Sequence, residues 1–488
     1  MITTRNQAAY KYCNVEVIYD YYPDASGYGW GASIETIYNT VLSNDPNRPD
    51  LYSVFITDMV CTSLKGSFAN LMSTSRGTGD LRGENYFQFL DKDYDEEVNN
   101  LGYMYDYMTT LTLSKFKMYV LGSDYFTDLV RAFSIMPVNV KLLNSVVEEV
   151  DGDYNNDGVC NIDDFYDMIK AGKWNYEKLA DYCDKIYQAG QGSTGSTMLS
   201  DELVGLAVAG SVGQGTSFIY TSSVIVVHRE WSEKRDDYDY YYAETNPDLE
   251  RFCANLKTLF ESRGVVLCES KQVEEFGATA GIAIRERFTQ NHVLFGGTIS
   301  VGTLEYDSYQ NMKDGISASE EDLASGNYGF GIAPMPLYRS YADEHYSDDR
   351  YLTLIGTIGK GGAISATTTK FAQCTAFLDY QSTHSTDILN EYYDYKLQYD
   401  VAGGTPGNVY ILQYIRTNVR SSFDKVFEDA IGIYFRSSDA DAFRSRWTNL
   451  LDTYQFKMTN IAEKYAELYP TKAQYLASLV AEYDKLPD

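Results

Sequence analysis

Histidine and positive charge are both scarce in this sequence of 488 residues. It has four histidines, and 40 Lys and Arg residues oppose 69 Asp and Glu residues, which gives a formal net charge of −29 at pH 7. So acidic a surface repels phosphate backbones and anionic lipid headgroups, so we expect neither a nucleic-acid partner nor binding to a membrane surface. No apolar run approaches the length needed to cross a bilayer, so direct membrane insertion is not expected either.

Cysteine motifs and a signal peptide are also missing. The seven cysteines show no CxxC or other metal-binding spacing, and their odd number argues against a complete disulfide framework. The first residues, Met1–Arg5, are polar and lack the apolar core of a signal peptide. Taken literally this indicates a cytosolic protein, while a start placed after a removed signal remains open.

Signature motifs of enzymes are absent as well. The sequence has no HExxH motif and no Walker A loop, and the GxGxxG match at residues 190–195 follows a helix-like stretch rather than a strand. Acidic pairs such as Glu148 and Glu149 are adjacent, so on a helix they cannot flank one bond. We therefore predict no enzymatic activity, with a glycosidase that uses paired carboxylates as the remaining alternative.

Strand-like and helix-like segments alternate through the first half of the chain, and helices dominate after about residue 139. Strand-like alternation occurs at residues 15–20, 51–57, 224–229 and 294–305, and helical spacing at residues 33–42, 62–72, 140–150, 163–171, 175–189 and 248–261. Strands separated by helices predict an α/β fold. Near the end, Pro470 is expected to end one helix, with Thr471 and Gln474 capping the next.

One sharp motif occupies residues 153–164. The stretch DYNNDGVCNIDD matches a twelve-residue EF-hand loop, with Gly158 at the sharp turn. The predicted metal ligands are Asp153, Asn155, Asp157, Val159 through its carbonyl, Asn161 and Asp164. The loop resembles the calcium loop of dockerin modules, and we predict a structural Ca²⁺ here. The alternative is an Asx-rich turn that binds no metal.

Several segments, in order along the chain, share the pattern of one protein family. The clearest is DFYDMIKAGKWNYEKL at residues 164–179, and residues 134–143, 328–336 and 361–365 add weaker matches. In this order they resemble the family 1 extracellular solute-binding proteins of carbohydrate ABC importers. The dockerin-like loop and the tyrosine excess give a second, weaker resemblance, to starch-adherence binding domains of ruminococcal amylosomes.

The first resemblance implies a bilobed α/β fold of the periplasmic-binding-protein type II. Its helix-rich second lobe would carry the calcium loop as an insertion. The implied N-terminal lobe holds residues 1–132 plus 293–332, and the implied C-terminal lobe holds residues 133–292 plus 333–488. A ligand would bind in the cleft between the lobes.

Aromatic residues outside the expected core are the first candidates for a ligand site. The chain has 45 Tyr against 22 Phe, and a tyrosine offers a ring face together with a hydroxyl, which suits sugars. Tyr28 and Trp30 follow the first predicted strand, where α/β sheets place their ligands. Trp231 lies among charged residues where a strand passes into a loop. We predict that these rings contact the ligand.

Further candidates come from the resemblance. Tyr306 and Asp307 end a strand that is similar to the family's cleft-facing segment. Gly361 and Gly362 are similar to a segment near the ligand, where they would let the backbone approach a sugar or would merely form a turn. Trp174 matches a family tryptophan that is more often a packing residue.

We therefore predict a non-catalytic extracellular or cell-surface protein that captures an oligo- or polysaccharide, foremost an α-glucan such as starch. The alternative is the substrate-binding lipoprotein of a carbohydrate ABC importer. The implied partners are the glycan itself and either an ABC permease or a larger multidomain cell-surface assembly.

Overall fold

A computed structural model gives the fold. It describes residues 1–20, 32–43, 45–72, 105–190, 202–209, 217–268, 280–356, 359–420, 427 and 460–487. No helix in these ranges combines the length and apolarity that crossing a bilayer requires.

Helices make up most of the described structure. The α-helices are α1 (Ile2–Cys13), α2 (Ala32–Leu42), α3 (Ile56–Ser63), α4 (Tyr105–Met108), α5 (Asp128–Arg131), α6 (Val140–Asn144), α7 (Val147–Val150), α8 (Ile162–Lys170), α9 (Tyr176–Gly190), α10 (Pro247–Phe260), α11 (Ala280–Thr289), α12 (Asp307–Lys313), α13 (Glu320–Ser325), α14 (Phe371–Thr383), α15 (Thr386–Asn390), α16 (Pro406–Thr417) and α17 (Ile461–Asp484). The other helices are 3₁₀-helices at Val301–Glu305 and Tyr346–Asp348 and a π-helix at Glu391–Val401.

The strands are short. They are β1 (Leu51–Tyr52), β2 (Ser134–Asn139), β3 (Val204–Ala209), β4 (His228–Ser232), β5 (Asp237–Tyr241), β6 (Val265–Cys268), β7 (Val293–Phe295), β8 (Ile299–Ser300), β9 (Phe330–Ala333) and β10 (Ala363–Ile364). Six of them form one mixed sheet, and two pairs, β1–β10 and β4–β5, stand as separate two-stranded sheets.

The main sheet is built on β2 and β3. β3 pairs in parallel with β6 and β7, and β2 pairs antiparallel with β7, β8 and β9. All residues of β2 and of β3 are buried, as expected for strands covered by helices on their faces. Parallel pairing between strands that helices separate confirms the predicted α/β class.

Aromatic rings fill the space between the sheet and α8–α9. Trp174 is 0% exposed, and its ring centroid lies 5.0 Å from that of Phe165 and 5.4 Å from that of Phe295. Its indole N–H donates to the Pro334 carbonyl at 3.0 Å. Trp174 is therefore a core residue, as predicted.

The sheet pairings join segments that the predicted lobes separate. β7, β8 and β9 lie within residues 293–333, yet they pair with β2 or β3 of the predicted second lobe. β10 pairs with β1 of the predicted first lobe. Where the lobes divide therefore stays a prediction.

Several local predictions were wrong. Most of the strands predicted at residues 224–229 and 294–305 did not form, because β4 begins only at His228 and a 3₁₀-helix occupies Val301–Glu305. Residues 15–20 lie outside helix and strand, and the strand predicted at residues 51–57 ends at Tyr52 because α3 begins at Ile56. The helix predicted at residues 62–72 did not form, since α3 ends at Ser63 and residues 64–72 contain no helix. Pro470 does not end a helix but lies inside α17. Proline removes one backbone hydrogen bond, and the buried Tyr465 and Leu476 on either side anchor the helix against that loss.

A buried arginine holds the loop after β9. The Arg339 side chain is 8% exposed and pairs with Asp349 at 3.1 Å, Asp248 at 3.3 Å and Asp343 at 3.5 Å. Asp349 is the most buried of these carboxylates, with 2% of its side chain exposed, and burial raises its pKa. The Arg339 guanidinium therefore stabilises the ionised form of the buried Asp349 carboxyl group.

Arg339→Met is expected to lower the free energy of unfolding by about 3–5 kcal/mol, because it leaves Asp349 charged and unpaired in the interior. The carboxyl pKa is then higher in the folded than in the unfolded state, so the deficit is largest at neutral pH and shrinks as pH falls towards 4. Urea unfolding at several pH values measures both effects. The control is Arg251→Met: Arg251 is 41% exposed, and its loss should cost about 1 kcal/mol or less. Equal losses for the two variants would contradict this reading.

Candidate functional site

The segment between β8 and α12 carries Tyr306 to the protein surface. The 3₁₀-helix Val301–Glu305 follows β8, and α12 begins at Asp307. The Val301 N–H donates to the Phe133 carbonyl at 2.9 Å, which ties the segment to the residue before β2. Tyr306 has extended backbone angles between the two helices and is 51% exposed. The break between the 3₁₀-helix and α12 thus leaves the Tyr306 ring projecting from the fold.

Arg131, at the end of α5, joins this segment to other parts of the chain. Its guanidinium pairs with Glu305 at 2.7 Å and with Asp128 at 3.3 Å. Lys360 approaches the other carboxylate oxygen of Asp128 at 3.3 Å. Because all four side chains are partly exposed, each pair adds little stability, and its main effect is to fix positions. The network brings the chain neighbours of Tyr306 and of Gly361 into one cluster.

The π-helix contacts the same segment at both of its ends. The Tyr392 hydroxyl donates to Glu305 at 2.7 Å, and the Gln310 amide donates to the Val401 carbonyl at 3.1 Å. Burial, followed by the bond to Glu305, raises the pKa of Tyr392, so the hydroxyl remains a hydrogen-bond donor. π-Helical turns are rare and are frequent at functional sites.

Some buried polar atoms in this segment and in the two arginines that contact it have no hydrogen-bond partner. Within the described part of the chain, Arg131 Nε, Arg285 Nε and Ser308 Oγ have none, although each is inaccessible to water. The Arg285 guanidinium carbon lies 5.0 Å from the centroid of the Tyr306 ring. A second group of such atoms lies at Tyr338, Arg339 and Asp349, which contact one another, so clustering of partnerless buried atoms is not confined to this segment. Because the three atoms of Arg131, Arg285 and Ser308 are inaccessible to water, a ligand does not reach them in this arrangement, and the exposed groups of the segment are the Tyr306 ring and Asp307.

Of the predicted site residues, Tyr306 and Asp307 lie in this segment, and Asp307 is exposed at the first turn of α12. Tyr28 and Trp30 fall outside the described residues. The role of each as a ligand contact stays a prediction.

Gly361 and Gly362 lie near the cluster but are enclosed by protein. A Cβ on Gly361 would lie 2.8 Å from the Leu121 carbonyl oxygen, and one on Gly362 would lie 2.5 Å from the Phe126 ring. The Gly362 N–H and carbonyl both bond to Leu121, at 2.9 and 2.7 Å. Close packing therefore explains both glycines, and a contact with the ligand stays a prediction.

Trp231 lies on the separate β4–β5 hairpin. Its ring meets that of Tyr238 edge to face at a centroid distance of 5.4 Å, and the Lys115 ammonium lies 4.4 Å from its centroid. These contacts give the indole a packing role in the hairpin. Its predicted contact with the ligand remains untested.

Asp164 is the hydrogen-bonding centre of the predicted calcium loop. Its carboxylate is buried and accepts the N–H groups of Tyr154 at 2.7 Å, Asn155 at 3.1 Å and Asn161 at 2.9 Å. Asn161 and Asp164 also form the capping box of α8. The loop is therefore closed by amide-to-carboxylate bonds.

The remaining acidic ligands of this loop bond to backbone amides too. Asp153 accepts the N–H groups of Asp157 at 3.0 Å and Gly158 at 2.9 Å, and Asp157 accepts that of Val159 at 2.8 Å. Gly158 has φ +86°, as the sharp turn requires. Nowhere in the described ranges do three or more Asp, Glu, His or Cys side chains form a group suited to a metal ion. The structural Ca²⁺ therefore stays a prediction.

Sequence reasoning missed the residues that surround Tyr306. They are Arg131, Arg285, Glu305, Ser308 and Tyr392. The tyrosine-rich run EYYDYKLQY at residues 391–399 was a visible signal for the last of these. Glu305 and Ser308 flank the predicted Tyr306 and Asp307 in sequence, whereas Arg131 and Arg285 carry no local signal, because the fold brings them there from distant parts of the chain.

Comparisons with known proteins give similarity to solved structures only. No protein-family model and no curated protein matches the chain. The GacH receptor of Streptomyces glaucescens, solved unliganded and with acarbose, is 11% identical with a TM-score of 0.47, covering 96% of each chain. An ABC transporter-associated binding protein from B. animalis subsp. lactis, in complex with β-1,6-galactobiose, is 11% identical with a TM-score of 0.47, covering 98% of this chain and 95% of that one. Maltose-bound MalE3 of T. maritima is 12% identical with a TM-score of 0.45, covering 96% and 95%. At such identities and TM-scores, none of them decides what this chain binds.

Asp164→Ala is expected to lower the free energy of unfolding by about 3 kcal/mol, because backbone N–H groups at a buried site lose their acceptor. Asp163→Ala is the matched control: Asp163 is exposed in the same first turn of α8, and its loss should cost about 0.5 kcal/mol or less. Urea unfolding in EDTA measures both. Similar values for the two variants would show that Asp164 does not hold the loop.

The predicted calcium is tested separately with the unaltered protein. If Ca²⁺ binds the folded loop, EDTA should lower the melting temperature and added calcium should restore it, because an ion that binds the native state stabilises it. Asp153→Ala, which removes the first predicted ligand, should abolish the response. If EDTA leaves the melting curve unchanged, no stabilising Ca²⁺ binds this loop.

Proposed function

We propose that the protein is a non-catalytic carbohydrate-binding protein and that its glycan binds at Tyr306. The observation that carries this proposal is the exposed Tyr306 ring, which has the Arg285 guanidinium 5.0 Å from its centroid and is flanked in sequence by the exposed Asp307 and the partly exposed Glu305. Sugars bind proteins by stacking on aromatic faces while fixed polar groups bond their hydroxyls. The cluster supplies both kinds of contact.

The arrangement around Tyr306 suits stacking on one face. Arg285 lies 5.0 Å from the ring centroid, so the guanidinium supports the ring while half of the side chain remains open to solvent. A cation near the ring holds it in place through cation–π attraction. A sugar ring would then cover the open part of Tyr306.

The charges favour a neutral ligand over an anionic one. Arg131 is already paired with Glu305 and Asp128, so it has little charge left for a phosphate or carboxylate. The net charge of −29 repels anions further. A neutral ligand with many hydroxyl groups matches the accessible polar groups here, which are the Asp307 carboxylate and the partly exposed Arg131 and Glu305 side chains.

The carboxylates nearest Tyr306 are engaged in ways that disfavour catalysis. Glu305 binds Arg131 at 2.7 Å and accepts the Tyr392 hydroxyl at 2.7 Å, and Asp128 is shared by Arg131 and Lys360. A glycosidase needs one carboxyl group able to give up a proton and another across the bond. The paired-carboxylate alternative is retained as an outcome to test by release of reducing ends.

We favour the substrate-binding component of a carbohydrate ABC importer over a polymer-adherence module. The family-like segments, in order along nearly the whole chain, support this reading, whereas the adherence reading rests on the calcium loop and on composition. An extracellular or cell-surface location, a bilobed arrangement, a permease partner and an α-glucan as ligand belong to the same proposal.

Tyr306→Ala is expected to weaken glycan binding at least tenfold, about 1.4 kcal/mol, because the stacking face is removed. Tyr306→Phe should bind nearly as well, since it keeps the ring. Tyr241→Ala is the matched control, an exposed tyrosine on the β4–β5 hairpin. Calorimetry with maltotriose, β-1,6-galactobiose and xylotriose measures the effect. No binding of any glycan by the unaltered protein, or full binding by Tyr306→Ala, would reject the proposal.

A further inference from the structure

Two tyrosines on the π-helix form an exposed pair away from Tyr306. Tyr395 is 59% exposed and Tyr399 is 52% exposed. Their ring centroids are 6.1 Å apart and the ring planes are inclined by 36°. The edge-to-face aromatic pairs of the core, such as Tyr119–Tyr483 and Phe133–Tyr393, are different, since there each ring is buried. Most of the surface of Tyr395 and Tyr399 is free to meet another molecule.

The π-helix fixes this pair on a rigid support. Its opposite side is fully buried, with Tyr393 and Leu397 both 0% exposed, and the Tyr393 hydroxyl donates to the Leu412 carbonyl at 2.5 Å. Tyr399 also rests against Gly404, where a Cβ would lie 2.7 Å from the ring. Gly404 has φ +65°, which disfavours any larger residue. The chain therefore leaves room for the Tyr399 ring at a position that requires glycine.

Resting on the proposed function, we propose that Tyr395 and Tyr399 form a second glycan-binding surface, which contacts consecutive sugars of a long chain. Each tyrosine offers a ring face and a hydroxyl, the combination that suits sugars. Rings inclined by 36° match a chain that curves, as α-linked glucans do, better than the flat ribbon of a β-1,4-linked glucan.

The surrounding charges favour this occupant over the other candidates. Glu391, Asp394 and Asp400 are exposed on the same π-helix against one exposed lysine, Lys396. Arg416 pairs with Asp394 at 3.4 Å and the Lys313 ammonium donates to the Asp400 carbonyl, so the surface has little net charge and does not attract a polyanion such as a nucleic acid or an anionic membrane. A protein interface would have an apolar core depleted of charge, whereas here the exposed charged residues Asp394, Lys396 and Asp400 adjoin the two tyrosines in sequence. A neutral polyhydroxylated chain meets neither obstacle.

The π-helix also connects this surface to the first site. Tyr392, three residues before Tyr395, donates to Glu305, and the Val401 carbonyl accepts from Gln310 of α12. Both aromatic surfaces therefore belong to one continuous part of the fold. Short glycans would use Tyr306 alone, while long ones would gain from the second surface through a high effective concentration.

The test is the double variant Tyr395→Ala/Tyr399→Ala, compared with Tyr395→Phe/Tyr399→Phe, which keeps both rings. Retention on granular starch should fall at least tenfold for the alanine pair and stay within about twofold for the phenylalanine pair. Maltotriose affinity by calorimetry should stay within about twofold for both. Because the rings are exposed, the melting temperature should be unchanged, and this checks folding.

The outcomes separate this inference from the proposed function. Undiminished starch retention by the alanine pair, or no retention of the unaltered protein on starch, overturns the second surface. Equal loss of maltotriose and starch binding by the alanine pair also overturns it, since the pair would then belong to the first site. If Tyr306→Ala binds glycans as tightly as the unaltered protein does, the proposed function itself is wrong.

Discussion

The burial of strand β2 is the constraint on which the candidate site depends. All of its residues are buried, and it pairs with β7, β8 and β9. Its register is given by the opposed pairs Met136–Ala333, Val138–Phe295 and Ser134–Ser300. With Ser134 opposite Ser300, Phe133 bonds to Val301, and Arg131 then reaches Glu305. The geometry of the site is thus a consequence of the core.

The site stands out electrostatically from the rest of this acidic protein. Two guanidinium groups, Arg131 and Arg285, meet on one surface segment, and the first is balanced by Glu305 and Asp128. What remains is a polar region without strong net charge beside an exposed ring, Tyr306. Such a region selects for hydroxyl groups rather than for ions, whereas strong unpaired charge would have pointed to a phosphate or carboxylate.

Local signals in the sequence predicted local structure well. Helices α8 and α9 lie within one residue of their predicted ends, because amphipathic spacing and capping residues are local properties. The strand predicted at residues 15–20 did not form, because alternation of apolar and polar residues gives a strand only where a partner strand is present. In the site, Tyr306 and Asp307 were predictable from resemblance alone. Arg131 and Tyr392 were not, since they reach Glu305 across more than 80 residues of sequence through strand pairing and the π-helix.

Hydrogen–deuterium exchange of the full chain, with and without saturating glycan of a kind that it binds in calorimetry, tests the central claim most directly. Binding at Tyr306 predicts slower exchange in peptides covering residues 301–310 and 391–401, with the β4–β5 hairpin unchanged. Protection confined to that hairpin, or no change at residues 301–310 under saturation, would place the ligand elsewhere and contradict the assignment.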